Sequence, residues 1–126
     1  MIVLINEIEE NNIVKFSSKY GNACGIWKDK KNPTLKKYGI EIDYDKKVEV
    51  SQIQISDEKV PQIGIVNSYI QIIGEVIDIE DVCMSIRVGD SIIELEVDNN
   101  IDLCAIYGKF INIRFPYINL YDEQIL

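Results

Sequence analysis

The sequence has no histidine, and among its 126 residues only two alanines, three prolines and one tryptophan. Without histidine, neither an imidazole general base nor an imidazole metal ligand is available. Alanine occurs only at Ala23 and Ala105, against 25 isoleucines, a balance that favours strands over helices. No apolar run approaches the ~20 residues of a membrane-spanning helix. Positive charge is scarce: 13 Lys and Arg stand against 21 Asp and Glu, a formal charge of −8. A nucleic-acid binder shows the opposite, basic footprint, so neither a nucleic-acid nor a membrane partner is expected. The three cysteines, Cys24, Cys83 and Cys104, are odd in number and none sits in a Cys-x-x-Cys pair. They read as small, reduced, buried apolar residues. The apolar start Met1–Ile5 is cut off by Asn6 and Glu7, so no secretory segment is read, and a cytoplasmic location is expected.

With 47% hydrophobic and 27% charged residues, the chain has what a folded core requires, and its length fits a single β-rich domain over residues 1–126. Apolar and polar positions alternate from Tyr38 to Asp45, which places Tyr38, Ile40, Ile42 and Tyr44 inward. The same pattern turns Ile93, Leu95 and Val97 inward and Glu94 and Glu96 outward. Further strands are predicted at Ile2–Ile8, Ile13–Ser17, Ala23–Trp27, Val48–Ile55, Gln62–Val66, Tyr69–Ile79, Val82–Val88, Phe110–Phe115 and Tyr117–Tyr121. Gly89-Asp90 has the chemistry of a two-residue, glycine-first hairpin turn. Asp102–Tyr107, ended by Gly108, is the one helical candidate. No internal repeat is read. The expected fold is all-β, an antiparallel β-sandwich or small barrel with at most one short helix.

Charge is unevenly distributed. Residues 1–59 carry ten basic and ten acidic residues, whereas residues 60–126 carry three basic and eleven acidic ones. The excess gathers around one hairpin system, at Glu75, Asp78, Glu80, Asp81, Asp90, Glu94, Glu96, Asp98 and Asp102. Adjacent strands bring such groups within a Debye length of ~8–10 Å, where they repel one another. This pattern fits either a solvated sheet face or a patch shaped for a cationic partner. Asp78-Ile79-Glu80-Asp81 lacks the glycine and ligand spacing of a calcium loop and reads as a hairpin turn, so no metal or cofactor is assigned. Carboxylate pairs also serve glycosidases, but no cleft-forming scaffold is evident. Cys24 has no histidine to activate it, and no catalytic residue is assigned. Tyr117 and Tyr121 share a strand parity that offers them either as interface anchors or as cross-strand packing. Lys28–Lys37, with five of the thirteen basic residues, reads as a soluble loop.

Cys24 and Trp27, Tyr38-Gly39-Ile40-Glu41-Ile42-Asp43, Gly74-Glu75-Val76 leading into the acidic hairpin, Gly108-Lys109-Phe110-Ile111-Asn112-Ile113 and Leu120-Tyr121-Asp122 together resemble the small acidic β-rich immunity proteins of bacterial toxin–immunity systems, including contact-dependent growth inhibition. The resemblance implies a cytosolic, non-enzymatic protein that binds and neutralises one cognate toxin, often a nuclease. The acidic residues named above, with Tyr121 and Asp122, are the candidate contact set: Glu75, Asp78, Glu80, Asp81, Glu94, Glu96, Asp98, Tyr121 and Asp122. A nuclease carries basic groups for phosphate, and an acidic protein can cover them and be steered to them quickly. The competing reading is an oligosaccharide- or peptide-binding barrel of the OB type, for which the long glycine-bearing strand Tyr69–Ile79 is suited. An aromatic stripe on one exposed face would favour it.

Overall fold

The alternating segments do form strands. The computed structural model describes residues 1–124. It runs β1 (Ile2–Ile8), β2 (Ile13–Ser18), β3 (Gly21–Trp27), β4 (Lys37–Asp43), β5 (Ile53–Ile55), β6 (Gln62–Val66), β7 (Tyr69–Glu80), β8 (Cys83–Val88), β9 (Ser91–Glu96), α1 (Leu103–Ile106), β10 (Phe110–Phe115) and β11 (Asn119–Asp122). Tyr38, Ile40, Ile42, Tyr44, Ile93, Leu95 and Val97 are all buried, as period-2 parity demands. Asp102 caps α1 by accepting the Ala105 N–H. Gly89 turns the β8–β9 hairpin with a positive φ of 63°.

One expected strand is broken. Within Val48–Ile55, Val48 makes an isolated bridge to Val97, Val50–Gln52 forms a single 3-10 turn, and strand pairing resumes at β5, against β10. The Glu49 N–H donates to the Gln52 side-chain oxygen at 2.9 Å, and the Glu49 carboxylate caps Gln52 in return. These reciprocal bonds satisfy the backbone locally and compete with a sheet ladder. The last strand begins at Asn119 rather than Tyr117.

β1, β2, β3, β11 and β4 close into a barrel. All its pairings are antiparallel except β11 with β3, which places Leu120 beside Trp27. The second sheet has the order β5-β10-β7-β8-β9, and β6 lies on the first part of β7. A parallel bridge between Val48 and Val97 brings residues 48–55 between β9 and β10. The interior of both sheets belongs to one continuous hydrophobic cluster, from Val3 and Phe16 through Ile86 and Leu95 to Ile118 and Leu120.

The sequence shows no internal repeat, but the strand registers reveal a structural one. In the first half Leu4 faces Ser17, Ile5 faces Phe16, a bulge follows, and Glu7 faces Lys15. In the second half Glu75 faces Arg87, Val76 faces Ile86, a bulge follows, and Asp78 faces Ser85. The first strand is shifted by 71 residues and the second by 70. The β2–β3 ladder, Ile13–Ile26 to Ser18–Gly21, returns as the β8–β9 ladder, Cys83–Glu96 to Val88–Ser91, again shifted by 70. The two equivalent turns meet: Asp90 N–H donates to the Tyr20 hydroxyl at 3.1 Å, and that hydroxyl donates to Asp90 Oδ1 at 3.0 Å.

Each half lends its closing segment to the other. After β4 the chain crosses to the second sheet, where Val48 pairs in parallel with Val97. After β10 it crosses back, where Leu120 pairs in parallel with Trp27, the residue equivalent to Val97. The molecule is therefore two similar strand arrangements with reciprocally exchanged closing segments.

Candidate functional site

The second-half bulge between Val76 and Asp78 resets strand parity and turns Asp78 and Glu80 to the outer face of β7. On β8 that face carries Cys83, Ser85 and Arg87, and on β9 Ile92, Glu94 and Glu96. Cross-strand pairing arranges them in rows. Asp78, Ser85 and Glu94 form one row, and Glu80, Cys83 and Glu96 form the next. These residues, with Leu95 beneath them, line a shallow groove. Four of the nine candidate contact residues, Asp78, Glu80, Glu94 and Glu96, thus share one exposed patch. Among the described residues, the cation that reaches it is Lys47, whose ammonium lies 3.8 Å from Glu96 at the β9 edge.

The other five candidates sit differently. Glu75 is in the adjoining row but is held by Arg87, at 3.3 Å. Asp81 occupies the β7–β8 turn with a positive φ of 56°. Asp98 accepts the Asn100 N–H at 3.0 Å and so serves its own turn. Tyr121 and Asp122 lie on β11, in the first barrel. Tyr121 is 38% exposed, while the Asp122 backbone N–H donates to the Asp29 carboxylate and its side chain accepts from Gln124. The acidic hairpin and the Tyr121 region are therefore separate surfaces.

Cys83 and Ser85 were missed by a reading that looked for charge. Cys83 and Cys104 are exposed and only Cys24 is partly buried, which corrects the expectation of three buried cysteines. The reason is position: Cys83 and Cys24 fall on outward parity, and Cys104 lies on the open side of a one-turn helix. Burial, and then the nearby Glu9 carboxylate, push the Cys24 thiol above its ordinary value.

Tyr117 is not an available anchor. Its ring lies 5.5 Å from Tyr44, and its hydroxyl donates to the Asp45 carboxylate. That bond raises the phenol to about 12 and holds Asp45 below the ordinary carboxylate range. Asn119, two residues from both Tyr117 and Tyr121, is 1% exposed. The lysine-rich loop is tied down: Trp27 Nε1 donates to Lys31 O at 2.8 Å, and Thr34 N–H donates to the Tyr38 hydroxyl at 3.0 Å.

The equivalent face of the first half differs. There the Lys15 ammonium bridges Glu7 at 2.9 Å and Glu9 at 3.1 Å. Hydrogen bonding to Lys15 lowers the Glu7 pKa, and hydrogen bonding to Glu7 and then Glu9 raises that of Lys15.

Among the described residues, no cluster of three His, Cys, Asp or Glu side chains is arranged to hold a metal ion, and no helix is long and apolar enough to cross a membrane. Compared with protein-family models, with curated proteins and with solved structures, the chain finds no match.

Proposed function

We propose that this chain is a binding protein that neutralises a cationic protein partner, a toxin of the nuclease type, by covering its basic surface with the outer face of β7, β8 and β9. One observation carries the reading: four carboxylates, Asp78, Glu80, Glu94 and Glu96, are aligned in two cross-strand rows, where among the described residues the edge residue Lys47 pairs with Glu96 and Arg87 in the adjoining row is taken by Glu75. Like charges gathered on one face within a Debye length repel one another, so a face that keeps them gains when a partner supplies the missing cations. The contact would bury ~800 Å² on each side, the size of an ordinary specific interface. No chemistry of the chain's own is required.

The test is a titration of the chain against the product of the neighbouring reading frame in its native genome, at low and at high salt. Wild-type binding should weaken steeply with salt. The double reversal Glu94→Lys and Glu96→Lys should slow association and flatten that dependence, with the fold intact because both side chains are exposed. Absent binding, salt-independent binding, or unchanged binding by the double variant would each overturn the proposal.

The closed five-stranded barrel favours a second reading, a Greek-key module of the OB type that grips an extended ligand across β2 and β3. The outward positions there are Lys15, Ser17, Asn22, Cys24 and Ile26. They include no aromatic side chain on which a sugar ring or base could stack, so a peptide is the ligand this surface suits.

A further inference from the structure

The two halves provide an internal comparison, position by position. Asp78 stands where Glu7 stands, Glu80 follows Ile79 as Glu9 follows Ile8, and Ser85 stands where Lys15 stands. The second half thus keeps both carboxylates that grip an ammonium in the first half but has a short hydroxyl side chain in place of the lysine. Glu94 and Glu96 replace Cys24 and Ile26 on the neighbouring strand, which adds two further carboxylates around the same position. The space above Ser85 is open, as the groove bounded by Asp78, Glu80, Cys83, Ser85, Glu94 and Glu96. In the first half the matching position is filled by the Lys15 side chain itself.

We infer that the groove over Ser85 is a seat for one basic side chain of a protein partner, whose cationic head takes the place that Lys15 Nζ takes between Glu7 and Glu9. Asp78 and Glu80 grip the head from β7, and Glu94 and Glu96 close on it from β9. The chemistry that fits is a lysine ammonium or arginine guanidinium on a protruding side chain, since several carboxylate acceptors converge where a point charge or a planar fork can donate in more than one direction. A free anion or an apolar segment has no favourable contact there. This inference rests on the proposed function and adds where, and by which residue, the partner is held.

Hexalysine serves as the probe, titrated into the full chain at low salt and followed by amide chemical shifts and calorimetry. Wild type should bind one peptide, with the largest shifts at Asp78, Glu80, Ser85, Glu94 and Glu96. Ser85→Lys restores the internal cation and should weaken binding about tenfold or more, equivalent to about 1.4 kcal/mol at the threshold. A charge-matched control, Asn32→Lys in the exposed loop before β4, should change it less than about twofold. Lys15→Ser empties the first-half position and should raise the stoichiometry from one peptide to two. Each substituted side chain is solvent-accessible, and thermal midpoints of all variants should stay near wild type. Equal weakening by Ser85→Lys and Asn32→Lys would show a diffuse negative field with no seat, and would overturn the inference. So would unchanged stoichiometry in Lys15→Ser. If Glu94→Lys with Glu96→Lys abolishes binding of the natural partner while Ser85→Lys does not, the acidic face stands and the seat falls. If neither substitution affects that partner, both fall.

Discussion

The exchange of closing segments makes a sharp prediction about two residues far apart in sequence. Gly25 on β3 lies directly beneath Leu120 on β11: a Cβ built at Gly25 meets Leu120 Cγ at 2.7 Å and its two methyls at 2.8 and 3.1 Å. Leu120 is 0% exposed, so its side chain has no solvent-side space into which to retreat. Gly25→Ala therefore overpacks the barrel and should cost about 1–3 kcal/mol. Leu120→Ala deletes a fully buried side chain and should cost about 2–5 kcal/mol. In the double variant the new methyl occupies part of the space that Leu120 vacated, so the combined loss should fall short of the sum by about 1–2 kcal/mol. The assay is urea unfolding at equilibrium for wild type, both single variants and the double variant, with slopes checked for two-state behaviour. Strict additivity would refute the reasoning. It would mean that Leu120 does not sit on Gly25, and that β11 closes some arrangement other than the first barrel.

Two further predictions concern groups that the fold perturbs. In the folded protein Cys83 and Cys104 should react promptly with a thiol reagent and Cys24 slowly, because Cys24 is partly buried and its thiol is held above its ordinary pKa; three thiols of equal speed in a stopped-flow assay would contradict this placement. The Tyr117–Asp45 bond should appear at both ends of the pH scale. Tyr117 is raised from 10.0 to about 12, so its contribution is complete below pH 10 and is lost as pH climbs towards 12. Asp45 is lowered, so its contribution holds above the ordinary carboxylate range and disappears as pH falls through the depressed value. A phenol titration by ultraviolet absorbance should show one late-ionising tyrosine that vanishes in Tyr117→Phe, and the variant's stability should converge on wild type at both extremes; a late phenol that persists in Tyr117→Phe would assign it elsewhere.

The strands were legible because a half-buried strand writes its geometry into every second residue. Tyr38, Ile40 and Ile42 could be placed inward without knowing what they touch, since burial selects apolar side chains whatever the partner strand is. Glu94 and Glu96 could be placed outward by the same rule. At Val50–Gln52 the apolar alternation of Val48 and Val50 slips by one residue before Ile53 and Ile55, and what decides the backbone there is a side-chain cap at Glu49 and Gln52 that apolar periodicity does not register. Parity also fails at a bulge, which shifts the phase without any signature residue, and both halves contain one in their first strand.

The repeat was illegible for a stricter reason. Residues 13–27 pair in the same register as residues 83–97, yet no aligned pair is identical. Inward positions hold Val14, Phe16, Ala23, Gly25 and Trp27 in one half and Met84, Ile86, Ile93, Leu95 and Val97 in the other. The interiors differ because each half packs a different borrowed segment. Leu120 leans on the first half and leaves room only for Gly25 at the position that Leu95 fills in the second. A core is constrained in volume and polarity rather than in identity, so the β2–β3 and β8–β9 hairpins can share one register and no aligned side chain. What matched registers do expose is the contrast between their surfaces. Lys15 against Ser85, and Cys24 and Ile26 against Glu94 and Glu96, are differences at exposed or partly exposed positions where the fold itself makes little demand. One half closes its carboxylates with its own lysine and the other leaves them open, and on two hairpins of matched register that contrast is the ground on which the proposed cation seat stands.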